Sequence, residues 1–159
     1  MSVAIADLRK LIGEVPDPEI PVLTIDDLGI LRDVRCDAAG RVDIDITPTY
    51  SGCPALDAIR EDVTRRAHEL GFEATVHTVL SPAWTTDWMS DEARAKLREH
   101  GVAPPRYRDA SLRLLDAHVA CPVCGSVHTD EVAHFASTPC QALRRCKGCS
   151  EPFQHFKEH

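Results

Sequence analysis

Two Cys-x-x-Cys pairs near the C-terminus, Cys121-Pro122-Val123-Cys124 and Cys146-Lys147-Gly148-Cys149, constrain this 159-residue chain more than any other feature. Each pair turns two sulfurs toward one point, and two such knuckles complete a tetrahedral four-sulfur shell of the kind Zn²⁺ accepts at about 2.3 Å. Gly125 and Gly148 suit the tight knuckle backbone. The expectation is one metal held by Cys121, Cys124, Cys146 and Cys149 in a short ribbon. Zinc is favoured for a closed structural site, with iron in the same thiolate cage as the alternative. Cys140, His128 and His134 lie between the knuckles without ligand spacing and read as strand residues. The total of seven cysteines is odd, and four of them fall in metal-knuckle pairs, which points to ligation in a reducing compartment before disulfides.

Composition changes along the chain. Residues 118–159 hold four basic and four acidic side chains, whereas residues 1–117 hold 14 and 21, and five of the seven cysteines lie after residue 117. Gly101 followed by Pro104-Pro105 ends any helix there. The expected division is an α/β domain over 1–110 and a zinc ribbon over 111–159. The net charge of −7 disfavours a nucleic-acid partner, although Arg144, Arg145 and Lys147 cluster. No apolar run approaches the roughly 20 residues of a membrane helix, and no basic segment precedes an apolar one at the N-terminus, so a cytoplasmic protein without membrane contact is expected.

In the first part, Ile5, Leu8, Leu11, Ile12 and Val15 recur at helical spacing after a possible cap at Ser2, and the Asp17–Pro21 segment ends that helix. Val42, Ile44 and Ile46 alternate with Asp43 and Asp45, and Leu31–Cys36 is their expected hairpin partner. Leu56, Ile59, Val63, Ala67 and Leu70 form a second helical stripe closed by Gly71. Phe72 through Leu80 predicts a third strand, and Ser90 or Asp91 starts a short last helix. The pattern is a small two-layer α/β domain.

Two loops stand out. In Thr47-Pro48-Thr49-Tyr50-Ser51-Gly52-Cys53-Pro54, a helix beginning at Pro54 makes Cys53 its cap, where free N–H groups favour a thiolate suited to metal ligation. A small buried cysteine at a helix start is the equally weighted alternative. The second loop, Trp84-Thr85-Thr86-Asp87-Trp88-Met89, gathers both tryptophans of an aromatic-poor chain. Trp84, Trp88 and Met89 either cover the core or anchor a partner.

Together with Asp17-Pro18-Glu19-Ile20-Pro21, these two loops resemble the iron–sulfur cluster assembly (FSCA, or MIP18-like) domain over roughly residues 5–105. The arm Ala103-Pro104-Pro105 and the tail from Ser137 to Phe153 are similar to the PaaD family, accessory components of the phenylacetyl-CoA epoxidase system. The resemblance implies an accessory factor of aerobic phenylacetate degradation that is not catalytic alone. It implies transient iron or iron–sulfur ligation at Cys53. It also implies partners among the phenylacetyl-CoA oxygenase and its flavin and [2Fe-2S] reductase, or other cluster assembly proteins. The alternative readings are a structural zinc-ribbon subunit of the oxygenase complex and a nucleic-acid-binding zinc ribbon.

Overall fold

A computed structural model describes residues 4–107 and 118–159. The expected Ser2 cap and the expected boundary at 110/111 lie outside those residues. Internal contacts divide the chain into two compact units, Met1–Met89 and Ser90–His159. The last helix therefore groups with the ribbon, because it packs on a short strand that pairs with the ribbon's own sheet.

The first unit is built as helix α1 (Ile5–Gly13), strands β1 (Leu31–Cys36) and β2 (Val42–Ile46), helix α2 (Leu56–Glu69) and strand β3 (Ala74–Thr78). The sheet order is β1-β2-β3. β1 and β2 form the expected antiparallel hairpin, with Val34 opposite Ile44, and Gly40 in the turn takes φ +81°, a conformation glycine adopts without strain. β3 lies parallel to β2, Val76 opposite Ile44, because α2 carries the chain back across the sheet. Val42, Ile44 and Ile46 face the helices and are almost wholly buried. Ile59, Val63 and Ala67 of α2 and Leu8 and Ile12 of α1 are buried as well, α1 packing near β1 and α2 near β3, while Ile5 and Leu80 stay on the surface. On the sheet's other face Arg35 bridges Asp33 and Asp45.

Sequence periodicity does not reveal the segment between α1 and β1, yet it supplies Ile20, Leu23, Ile25, Leu28 and Ile30 to the core. It folds back on itself: the Asp17 amide donates to Leu23 O at 2.8 Å and the Ile25 amide to Val15 O at 2.9 Å. Thr24 and Asp27 cap each other's amides at 3.1 and 3.0 Å. These local bonds satisfy a loop backbone that must be buried.

The second unit comprises α3 (Asp91–Glu99), β4 (Val102–Ala103), β5 (Thr129–Ala133), β6 (Gln141–Cys146) and β7 (Pro152–Phe156). Ser90 caps α3, its hydroxyl accepting the Ala93 amide at 3.0 Å. The sheet order is β4-β7-β6-β5, antiparallel except for the β4/β7 pair. One apolar cluster joins Ala103, Val119 and Phe153 to the knuckle cysteines Cys121 and Cys146, and Leu97, Ala142 and Phe156 are buried as well. Among the described residues no helix is long and apolar enough to cross a membrane.

Candidate functional site: two cysteine sites

In the ribbon, the first knuckle is closed by the Cys121 amide on Ser126 O at 2.9 Å and the Gly125 amide on Cys121 O at 2.9 Å. Gly125 has φ +75°, as such a turn requires. The second knuckle is the tip of the β6/β7 hairpin, where the Gly148 and Cys149 amides donate to Cys146 Sγ at 3.2 and 3.5 Å. A side chain at Gly148 would meet Ser126 at 3.2 Å, so the two knuckles approach each other across a backbone with no side chain.

The four sulfurs lie within 4.8 Å of one another. Cys121 and Cys149 are 3.8 Å apart, Cys124 and Cys146 3.6 Å. Tetrahedral ligands at about 2.3 Å from one ion stand about 3.8 Å apart, so the donor set fits zinc in both chemistry and spacing. Hydrogen bonds from the Cys149 amide and neighbouring groups bring the Cys146 thiol down to about 6. The Glu151 amide favours a thiolate at Cys149, but burial and hydrogen bonds with the other three sulfurs outweigh it and push that thiol up to about 12. Four thiols in so small a space cannot all ionise without a cation between them. Cys140, His128 and His134 stand outside this group. Cys140 is buried beside the Thr138 hydroxyl, His128 lends its carbonyl to the Lys147 amide, and His134 meets Glu131 at 3.2 Å.

Cys53 presents a different environment. Helix α2 begins at Leu56 with Ala55 as its cap, so Cys53 lies ahead of the helix and is not its cap, contrary to the expectation from Pro54. The physical reason is a preceding turn in which the Cys53 amide bonds Tyr50 O at 3.1 Å and Cys53 O receives the Leu56 amide at 3.3 Å. The expected stabilised thiolate is corrected as well. Burial pushes the Cys53 thiol up, the Ala55 amide and Thr49 hydroxyl pull it partly back, and the charges of Glu19 and Asp17 push it further up.

Those carboxylates come from the Asp17–Pro21 turn, which does more than terminate a helix. Asp17 is buried, and its Oδ1 accepts the amides of Glu19 and Ile20 at 2.9 and 2.7 Å. Burial raises its carboxyl above the usual range, and burial together with Asp17 raises that of Glu19. The Asp-Pro-Glu pattern was the available signal, since an Asp that bonds amides two and three residues on builds a turn. The result is one thiol held up chiefly by burial and, to a smaller extent, by the charges of two acids. An arriving cation lowers such a thiol and releases its proton.

The tryptophan loop splits. Trp84 is 6% exposed with its indole N–H on Leu28 O at 2.8 Å, and Met89 is 3% exposed. Both are interior residues, as in the first of the two readings of this loop, that it covers the core. The apolar bulk of each contributes more when buried in its own unit. Trp88 alone of the three stays half-buried, with the Arg32 guanidinium 4.3 Å from its ring centroid.

Comparison with known proteins matches both units. Residues 5–78 match the iron–sulfur cluster assembly protein family, and residues 107–157 match the PaaD zinc beta ribbon domain. The putative D component of 1,2-phenylacetyl-CoA epoxidase from Escherichia coli K12 is 49% identical over 95% of this chain and 91% of its own length. A Porphyromonas gingivalis Fe-S protein maturation auxiliary factor is 37% identical over 57% of this chain and 88% of its own. The crystal structure of a DUF59 domain from Bacillus anthracis covers 58% of this chain and 90% of that one at 30% identity and a TM-score of 0.55. With an assembly domain and a four-cysteine ribbon in one chain, the protein belongs to the PaaD family of phenylacetyl-CoA epoxidase components.

Proposed function

We propose that this protein is a maturation factor for phenylacetyl-CoA epoxidase. It takes up iron or an iron–sulfur cluster at the Cys53 loop and passes it to the cluster-bearing reductase of the system, in the cytoplasm. The ribbon holds a structural zinc on Cys121, Cys124, Cys146 and Cys149. The observation that carries this reading is the setting of Cys53: a half-buried thiol in the loop between β2 and α2, apart from the four-cysteine group. One thiol is too few ligands for a permanent cluster, whose irons call for four thiolates. It is enough to hold cargo briefly while a partner supplies the rest. The similarity to maturation auxiliary factors over the first unit supports the same reading.

In this reading partners are proteins. The basic cluster of the ribbon is engaged internally, Arg144 with Thr129 and Glu131, Arg145 with Ser150 O and Lys147 with Asp130 at 2.8 Å. That favours the structural and maturation readings over nucleic-acid binding. The test replaces the protein by Cys53→Ala in cells that make the epoxidase. The variant should fold and keep its zinc, while the reductase loses [2Fe-2S] cluster and phenylacetyl-CoA oxidation falls. Full cluster content and full oxidation would leave Cys53 a packing residue, and a structural role in the oxygenase complex would replace that of maturation factor.

A further inference from the structure

The first unit is strongly acidic, with 16 Asp and Glu against eight Lys and Arg in residues 1–89. Six of its seven arginines form ion pairs: Arg9 with Asp26, Arg35 with Asp33 and Asp45, Arg41 with Asp37, Arg60 with Asp57, Arg65 with Asp62, and Arg66 with Glu14 and Glu69. Arg32 is the exception. Among the described residues it meets no carboxylate, and its guanidinium lies over the Trp88 ring and reaches Pro82 O at a long 3.4 Å. A cation left unpaired among so many acids holds a position where an external anion gains most.

Trp88 is prepared in the same way. Gly29, at φ +69°, lets the Trp88 backbone come so close that a side chain there would meet Trp88 Cβ and O at 2.9 Å. Gly29 thus holds the Trp88 backbone close, Arg32 stacks on the ring, and the residue remains partly exposed. Among the described residues its indole N–H has no hydrogen-bond partner. Leu80, 63% exposed, lies on the strap that leads to Pro82.

We infer that Arg32 and Trp88 form a docking surface for an acidic segment of a partner protein, an Asp or Glu flanked by an apolar side chain. The carboxylate would accept from the guanidinium and the indole N–H, and the apolar neighbour would lie against the ring and Leu80. Arg and Trp are the residue types most often found at interface hot spots. A polyphosphate is a poorer occupant, because the acidic body repels multiple charges at long range while a single carboxylate meets one cation. The inference does not depend on the role of Cys53.

The test pans a displayed library of random linear peptides on the zinc-loaded full chain. Enriched sequences should carry Asp or Glu beside Leu, Phe or Trp. Their synthetic peptides should bind Arg32→Glu roughly thirtyfold and Trp88→Ala about tenfold more weakly, the loss of one hot spot each. They should bind Cys53→Ala unchanged and weaken with salt. Arg32→Gln, which keeps the stem over the ring, serves if the reversal impairs folding, and should also lose about tenfold. No acidic enrichment, or undiminished binding to a folded Arg32 variant, overturns the inference.

Discussion

The two cysteine sites of this protein solve opposite problems. In the ribbon, four sulfurs are brought within 4.8 Å by backbone turns, and two of the four cysteines belong to the apolar cluster of Ala103, Val119 and Phe153. A zinc ion bound there would be part of the fold. In the α/β unit Cys53 is a half-buried thiol on a loop of a unit with a full core of buried aliphatics. That core does not rest on a metal, so in the proposed reading what Cys53 takes up is free to leave. A resident ion calls for a complete shell, a passing one for an incomplete shell on a rigid support.

The largest effect should come from breaking the complete shell. The Cys121→Ser, Cys146→Ser double variant, or chelation of the wild type, should abolish ordered structure in the ribbon, because structural zinc supplies binding free energy on the order of 10 kcal/mol that is also folding free energy. Amide exchange should show residues 118–159 opening while β1–β3 keep their protection. Loss of protection in both units together would remove the contrast. In the opposite direction, Ile44→Ala or Ile59→Ala should cost about 2–5 kcal/mol, read by denaturant unfolding of the first unit, with zinc content unchanged.

A smaller effect tests how the ribbon is closed at its end. Arg106 Nε and its amide reach Glu158 Oε1 at 3.0 and 3.1 Å, and His155 Nε2 is 3.4 Å from the same oxygen. Burial opposes the charge on Glu158, but His155 and Arg106 more than offset it and hold that carboxyl well below its usual range. A carboxyl lowered on folding contributes stability that is present above its unfolded value of about 4.3 and lost as pH falls below it. Glu158→Gln should therefore cost about 1–2 kcal/mol at neutral pH, and the variant and wild type should converge on acidification.

The smallest effect sharpens the description of Cys53. Since burial and the charges of Glu19 and Asp17 push its thiol up, its alkylation rate should rise with pH along a curve displaced above that of an ordinary cysteine. Glu19→Gln should shift the curve back toward neutral pH. A rate already at its plateau at pH 7 would restore the helix-cap thiolate that the sequence suggests.

The knuckles of the ribbon were legible in the sequence because their spacing is local: the partners in each pair stand three positions apart, and the long-range step is only that both pairs share one ion. The hairpin at Gly40 and the stripes of α1 and α2 were legible for the same reason, each being a period along one segment. That α3 and β4 join the ribbon's unit was not legible, because β4 pairs with β7 about fifty residues on. The core residues of the 15–30 segment were not, because Ile20, Leu23, Ile25 and Leu28 follow the bonds of an irregular loop and no period. Nor was the neighbourhood of Cys53. Its helix starts two residues later than Pro54 suggests, and the acids that raise its thiol come from a turn more than thirty residues away in the chain. Trp84 and Trp88 look alike in sequence. A hydrogen bond to Leu28 O puts one inside, and a stacked Arg32 holds the other at the surface.

The division of labour between the sites is tested most directly by metal analysis and absorption spectra of protein purified and reconstituted with iron and sulfide without oxygen. Wild type and Cys53→Ala should each hold one zinc per chain, and iron–sulfur absorption should develop in the wild type alone. Iron–sulfur absorption that survives in Cys53→Ala and disappears in the Cys121→Ser, Cys146→Ser variant would give the cluster to the ribbon and contradict the account.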